Sequence, residues 1–416
     1  MRPSFSALAV ALSIVTATAA ARADEPSVRD DEIFQRWLQA SPEVASWRLQ
    51  VGSARFDVVT AGLLPNPNVQ LAITQLAAFQ NTSSKTQYQA QVSLPLPIFG
   101  QVGKRVDAAE ALVSVAEVNV RALLWQRAGD LQGAMLDRAF AAARVEMLEK
   151  NMAELARIDQ IVRTRTSAGA NSEYDVLRVQ TSSSAMRASV DNAKVARDRA
   201  EFLILSLVGD PTLTGAPVRR EGLASFSAPE DEGKLIEIAL DRRPDLELAR
   251  RSAYANEVAA SAWRRNAVPV PSLFLAGNMG AGPDSLYFTG GLSIDLPTFS
   301  RNQGAVGRAL NDAESQRVLA KSLDARIRAD VAGAWRGRQS AKRALEEFRA
   351  KGVPAATELI KRAEITYQAG TFKITELFDA YQTVWDARAQ ELDLERQMAD
   401  AEAAVERACV LMPLRR

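Results

Sequence analysis

The chain of 416 residues has no histidine and one cysteine, Cys409. The first absence removes the commonest metal ligand and the commonest general base, so Ser/His/Asp and Cys/His catalytic constellations are excluded. The second excludes a disulfide within the chain and leaves no cysteine near the N-terminus to carry lipid. An excess of one charge sign is also missing, with 51 Lys and Arg against 50 Asp and Glu. Nothing in that balance points to nucleic acid. Beyond the first residues no run of 18 or more apolar residues occurs, so no transmembrane helix is expected. If the chain crosses a membrane, it must do so as a β-barrel. Proline is absent from 101–166, which leaves room for one very long helix.

What is present begins with a targeting pattern. Arg2 is followed by an uncharged apolar stretch over 7–21 and by Ala21-Arg22-Ala23, an A-x-A cleavage site. Residues 1–23 are expected to be a secretory signal peptide. The alternative, an N-terminal anchor helix, has a stretch that is short and built of small residues. Without Arg2 and Arg22, Lys and Arg fall from 51 to 49 against 50 acids, a mature net charge of about −1.

The rest of the chain is written twice. Ser93-Leu94-Pro95-Leu96-Pro97-Ile98-Phe99 is answered by Ser293-Ile294-Asp295-Leu296-Pro297-Thr298-Phe299. Leu64-Pro65-Asn66-Pro67 is answered by Val268-Pro269-Val270-Pro271, and Ser167-Ala168-Gly169 by Gln368-Ala369-Gly370. Repeats imply stacked or symmetric architecture. The first unit is placed at 24–220 and the second at 221–416, each running helix, two strands, long helix, helix.

Prolines bracket the opening helices, expected at 42–64 and 244–268. The period then changes to two. Val69, Leu71 and Ile73 alternate with Gln70, Ala72 and Thr74, and Tyr88, Ala90, Val92 and Leu94 with glutamines and Ser93. This places strands at about 68–79 and 86–96, with a turn at 81–84. The second unit is less regular: Phe274 and Ala276 lead to a turn at 281–284, then Phe288, Gly290, Leu292 and Ile294 alternate with polar or small residues. Its strands are placed at 271–280 and 286–296. Length and alternation fit a transmembrane barrel, apolar outside and polar inside. On alternation alone a soluble hairpin with one buried face is the stronger reading, and the flanking helices shift that balance.

Long helices are expected at about 101–166 and 303–367, paired with helices at 172–207 and 375–409. Leu131, Met135, Ala139, Ala142, Val145, Leu148, Met152, Leu155, Ile158 and Val162 recur every three or four positions, a coiled-coil pattern. Gly129/Gly133 and Gly333/Gly337 form matching pairs inside the long helices, where close helix approach would explain them. Pro354 is expected to kink the second long helix. The Pro- and Gly-rich segment 209–231 reads as the connection between units.

Four strands cannot close a barrel, and an open sheet edge in lipid leaves backbone groups unpaired at several kcal/mol each. Three copies would supply twelve strands, closed and even, with the helices continuing as a hollow cylinder.

These ordered motifs resemble the TolC family of outer-membrane channel proteins over essentially the whole mature chain. The resemblance implies a mostly α fold with a small β part: a long α-helical coiled-coil barrel crossing the periplasm, plus four transmembrane β-strands per chain that form a twelve-stranded barrel in a homotrimer. It implies a non-enzymatic exit duct in the outer membrane of a Gram-negative cell, without cofactor or bound metal. The partners implied are a periplasmic adaptor protein, an inner-membrane RND pump and outer-membrane lipid. Length, brief strand loops and the missing lipid-bearing cysteine resemble the subgroup serving cobalt–zinc–cadmium and nickel resistance. A passive conduit need not bind its cargo, so the lack of histidine does not count against metal export.

The resemblance also places a gate at the periplasmic helix tips. Glu376 and Asp379 fall where the family's acidic residues ring the constriction, and their spacing puts them on one helix face. Rings of carboxylates favour cations and raise one another's pKa values. An exposed acidic first turn is the plainer reading. Tyr367 matches a tyrosine that holds the closed state, with Asp175 as its acceptor. Phe372 stands where the best-studied relatives carry arginine, which puts their latch in doubt here. Ala168, Gly169, Ala369 and Gly370 mark the tips that would meet the adaptor. Pro97, Phe99, Pro297 and Phe299 sit at the strand–helix junctions, and Tyr88, Phe79, Tyr287 and Phe288 are candidates for aromatic girdles. Gly100-Gln101-Val102-Gly103-Lys104 superficially resembles a phosphate loop, but its spacing is wrong and Arg105 stands where Ser or Thr is needed. Two alternatives stay open at this point: a duct for drugs or secreted protein, and a soluble periplasmic coiled-coil scaffold.

Overall fold

The computed structural model describes residues 30–75, 86–167, 173–210, 231–280, 286–369 and 371–411. The expected signal peptide, Phe79, the turns at 81–84 and 281–284, Ala168, Gly169, Gly370 and most of the connection between units lie outside the described residues.

The first unit runs α1 (Asp30–Ala40), α2 (Pro42–Gly62), β1 (Asn68–Gln75), β2 (Thr86–Pro95), α3 (Gln101–Ser167) and α4 (Glu173–Val208). The second runs α5 (Glu232–Arg242), α6 (Pro244–Asn266), β3 (Pro271–Gly280), β4 (Leu286–Ile294), α7 (Gln303–Glu347), a π-turn (Phe348–Gly352), α8 (Val353–Gln368) and α9 (Ile374–Ala408). The short helices α1 and α5 are absent from the sequence reading. Each stops at the residue before a proline, Ser41 (ψ 120°) and Arg243 (ψ 114°), because a residue before proline is pushed out of the helical region. Proline then occupies the first turn of the next helix, where no N–H is needed.

At 1.5 Å per residue, the 67 residues of α3 span roughly 100 Å without interruption. The second long helix does not run through. It widens into the π-turn just ahead of Pro354, whose missing N–H and bulky ring the wider turn accommodates. Of the coiled-coil positions on α3, Leu131, Met135, Ala139, Val145, Leu155, Ile158 and Val162 are buried.

The strands form one antiparallel sheet in the order β1-β2-β3-β4. Val69 opposes Val92, Val92 opposes Leu275, and Leu275 opposes Gly290, so one face is apolar across all four strands. That face is open: Leu71, Leu275 and Phe288 are 78%, 59% and 71% exposed. The opposite face carries Gln89, Gln91, Ser93 and Ser293. The register assigns Phe274 and Ala276 to this second face, opposite Ser93 and Gln91, while Leu273, Leu275 and Met279 continue the apolar one. At the end of β3, Gly280 has φ +146°, and a Cβ there would lie 2.5 Å from the Thr86 carbonyl oxygen, so only glycine fits.

The helical body has two answering cores. In the first, Trp37 and Val44 pack with Ile204 and Val208; in the second, Ala239 and Leu246 pack with Val405 and Cys409. All eight are buried, and each stands 201 or 202 residues from its counterpart. The Cys409 thiol donates to the Leu235 carbonyl at 3.7 Å. The helix α6 lies between α3 and α7, and α3 also packs against α9, so α3 joins the two units.

Candidate gate at the helix tips

At one end of the body, four helices converge on a single apolar cluster. Leu155, Ile158 and Val162 come from α3, Val179 from α4, Ala363 and Tyr367 from α8, and Ile374, Leu377 and Phe378 from α9. Tyr367 is buried at 5% exposure, and Val179 of the same cluster lies one turn along α4 from Asp175.

Burying Ile374, Leu377 and Phe378 on one side of α9 turns Glu376 and Asp379 outward, both exposed. The two carboxylates have different partners. The Lys373 backbone N–H donates to Glu376 at 2.7 Å, capping the first turn of α9. Asp379 accepts from the Arg178 guanidinium of α4 at 2.6 Å, and the same guanidinium lies 5.2 Å from the centre of the Phe378 ring. Arg178 therefore holds α4 to α9 by a charged hydrogen bond and a cation–π contact. The sequence reading overlooked it, although it lies three residues after Asp175 on the same helix. Phe372 sits in the short link before α9, 37% exposed, with its N–H on the Thr366 carbonyl.

Behind the tip, Glu154 of α3 accepts from Trp385 Nε1 at 2.7 Å and from Arg388 at 3.0 Å. The Tyr381 hydroxyl donates to Glu364 at 2.6 Å, and burial, then that bond, pushes its pKa up. The Trp385 ring packs edge-on against Phe378, with centroids 6.2 Å apart, and tilted against Tyr381 at 5.9 Å. The tip of α9 is thus held on both flanks by charged groups.

Farther up, α3 and α9 meet closely. A Cβ on Gly129 would stand 2.7 Å from Arg407 Nε, and that guanidinium donates to the Gly129 carbonyl at 2.7 Å. The glycine pair of the first unit therefore admits a crossing side chain. Within the chain, Gly333 and Gly337 have open space around them. Beside Arg407, the buried Glu406 accepts from Gln132 Nε2 at 2.7 Å. Burial pushes its carboxyl up to about 7, against the Gln132 bond and helped by Glu402.

At the strand–helix junctions, Pro97 and Pro297 are half-buried and Phe99 and Phe299 are exposed, the latter at 93%. Glutamine closes each turn: Gln101 accepts from the Phe99 N–H at 3.0 Å and Gln303 from the Arg301 N–H at 2.7 Å. The left-handed residue is Gly100 in one and Asn302 in the other, so the second turn is two residues longer. Lys104, part of the loop-like sequence at 100–104, pairs with Asp107 at 2.8 Å.

Repeated helical units and an open four-stranded sheet are accompanied by a family match over 33–210 and 235–409, described as outer membrane efflux protein. The chain belongs to this family. An outer-membrane efflux protein is accordingly placed in the outer membrane, which leaves the soluble scaffold without support. No helix among the described residues is long and apolar enough to cross a membrane, and the open sheet is the part of the fold suited to lipid. The chain is 21% identical to the cobalt-zinc-cadmium resistance protein CzcC of Cupriavidus metallidurans, over 86% of this chain and 84% of that one. It is 19% identical to the pyoverdine export outer membrane protein OpmQ of Pseudomonas putida, over 91% and 85%. Among solved structures, CusC superposes with a TM-score of 0.76 at 17% identity, covering 91% of each chain.

Proposed function

We propose that this efflux protein is the exit duct of a tripartite system, acting as a homotrimer with a periplasmic adaptor and an inner-membrane RND pump, and that it passes divalent heavy-metal cations. The observation that carries the cargo is the likeness to the cobalt-zinc-cadmium resistance protein over 366 residues. The trimer is supported by the sheet, whose four strands leave β1 and β4 with unpaired edges beneath one open apolar face. Three copies close twelve strands. The duct catalyses no reaction and uses no cofactor. Selectivity resides mainly in the pump.

The gate in this reading is the α8–α9 tip. Glu376 and Asp379 of three copies face a common axis and favour cations. Tyr367 and Asp175 secure the closed arrangement, and Arg178 takes over the clamping that Phe372 cannot provide. Ala168, Gly169, Ala369 and Gly370 present the tips to the adaptor. The likeness to the pyoverdine exporter favours a second reading, in which the same duct serves organic cargo.

The test is single-channel recording in planar bilayers, together with metal tolerance of a deletion strain. Wild-type protein should give discrete cation-preferring channels. Glu376→Ala/Asp379→Ala should lower the cation preference several-fold, and Arg178→Ala should raise the open fraction. Unchanged selectivity in the double variant would remove the gate residues and leave the duct. A deletion strain with normal metal tolerance would overturn the metal cargo.

A further inference from the structure

We infer that the wall of the duct inside the membrane is electrically neutral, so that it admits hydrated solutes of either charge sign and leaves charge selection to the helix tips. The inference rests on the duct reading above and deepens it by separating the part that selects from the part that only conducts.

None of the residues of β1, β2, β3 and β4 is charged, in a chain of which 24% is Asp, Glu, Lys or Arg. On the open apolar face this neutrality is required, because a charge facing lipid is costly. On the opposite face nothing in the fold requires it. The interior of a barrel is polar, and rings of charged side chains are the usual means of selecting ions along a pore.

That face carries amides and hydroxyls instead. Gln70 opposes Gln91, and the row continues through Ala276 to Thr289. In the neighbouring row Gln89 opposes Asn278, which opposes Tyr287. The register therefore places Tyr287 on the inner face and removes it from the girdle candidates, while Phe288, opposite Gly277, stays on the outer one. An amide both donates and accepts hydrogen bonds. Such a wall meets water and the hydration shell of a solute without favouring either sign. A divalent cation finds no carboxylate among the strand residues to delay it.

The charges elsewhere in the chain lie too far away to act on the middle of this wall. Among the described residues, those nearest to the strands in sequence are Asp295, one residue past β4, and Arg265, six residues before β3. The extended backbone from Thr289 to Asp295 spans about 20 Å. The connections within the two hairpins carry one charge each in the sequence, Lys85 and Asp284, of opposite sign. Glu376 and Asp379 stand beyond the far end of α3, roughly 100 Å of helix away. Fixed charges are screened over about 8 Å at physiological ionic strength.

Charged thiol reagents read the potential at the wall directly. Gln91→Cys and Thr289→Cys, made separately in the full-length protein, are exposed in outer membranes to a cationic and an anionic methanethiosulfonate of similar size, with wild-type protein as the blank. Relative to their rates with a free thiol in solution, the two reagents should react at each position within about threefold of one another. A preference of about tenfold or more for either sign would overturn the neutral wall, as would cysteines that neither reagent reaches at either position. Gln70→Glu, added to Gln91→Cys, places a carboxylate about 5 Å away on the same face and should shift the ratio several-fold towards the cationic reagent. An unmoved ratio would overturn the assignment of both residues to one water-filled wall. Glu376→Ala/Asp379→Ala, added to Gln91→Cys, should leave the ratio unchanged, and a shift there would overturn the separation of wall from filter. Wild-type protein that forms no channels in planar bilayers would overturn the duct reading, whereas channels with a charge-biased wall would overturn this inference alone.

Discussion

Glu406 puts an ionisable group in a place that favours a neutral one. Its folded carboxyl stands at about 7 against an ordinary 4.5, chiefly because it is buried. The folded chain therefore binds this proton more tightly than the unfolded chain does. The stability it contributes is complete below about pH 4.5 and is lost as the pH rises through about 7. Thermal unfolding of wild-type protein should accordingly show a midpoint several degrees lower at pH 8 than at pH 5.5. Glu406→Gln, which keeps a hydrogen bond to Gln132 available without the charge, should remove most of that difference. An unchanged pH dependence in Glu406→Gln would assign the titration elsewhere. Arg178 works in the opposite manner, as a fixed charge whose carboxylate partner lies on another helix.

At the scale of the element, the second long helix carries the clearest departure from regularity. Gly352 closes the π-turn with Phe348 folded over it, and a Cβ there would stand 2.8 Å from that ring. Gly352→Val should displace the ring and destabilise the helix pair by about 1–3 kcal/mol. The loss would be read as a lower denaturation midpoint with an unchanged denaturant slope. Pro354 announced an interruption in the sequence, but not that the chain would meet it by widening one turn. The long helices were legible because Leu131, Met135, Leu155 and Ile158 keep one spacing over many turns, and tertiary packing had no reason to override it. The first hairpin was legible because Gln alternates with Val and Leu. The strand β3 was harder, since Leu273, Phe274 and Leu275 are apolar on both faces and only the register decides which face is outward. The helices α1 and α5 span 11 residues each, too short for a sustained periodic signal beside their longer neighbours. Yet Ile33, Phe34 and Trp37 show helical spacing and fill the first core. At the proposed gate, Glu376 and Asp379 could be found by resemblance, from their place after the Ala-Gly turn. Arg178 could not, because its meaning lies in a contact across 201 residues of chain.

For the whole molecule, the open apolar face decides whether assembly succeeds. An arginine on the lipid side of a barrel costs about 2–4 kcal/mol near the bilayer centre, and a trimer would bear it three times. Val92→Arg should therefore abolish assembly in the outer membrane, while Gln91→Arg, its neighbour on the other face, should assemble. Membrane fractionation and detergent-resistant trimer on a gel separate these outcomes, and equal behaviour of the two variants would remove the assignment of faces. The buried Cys409 also has a practical consequence for any such experiment. Burial, opposed by Arg243 and Arg242, pushes its thiol up to about 11. At pH 8 only roughly one molecule in a thousand carries the reactive thiolate, and the sulfur is shut away from solvent. The natural protein is thus almost silent to maleimides and to spin-label reagents. A cysteine placed at any exposed position becomes its only addressable atom, so one fluorophore or spin probe per chain can follow the tips, the rim or the sheet without altering the native sulfur.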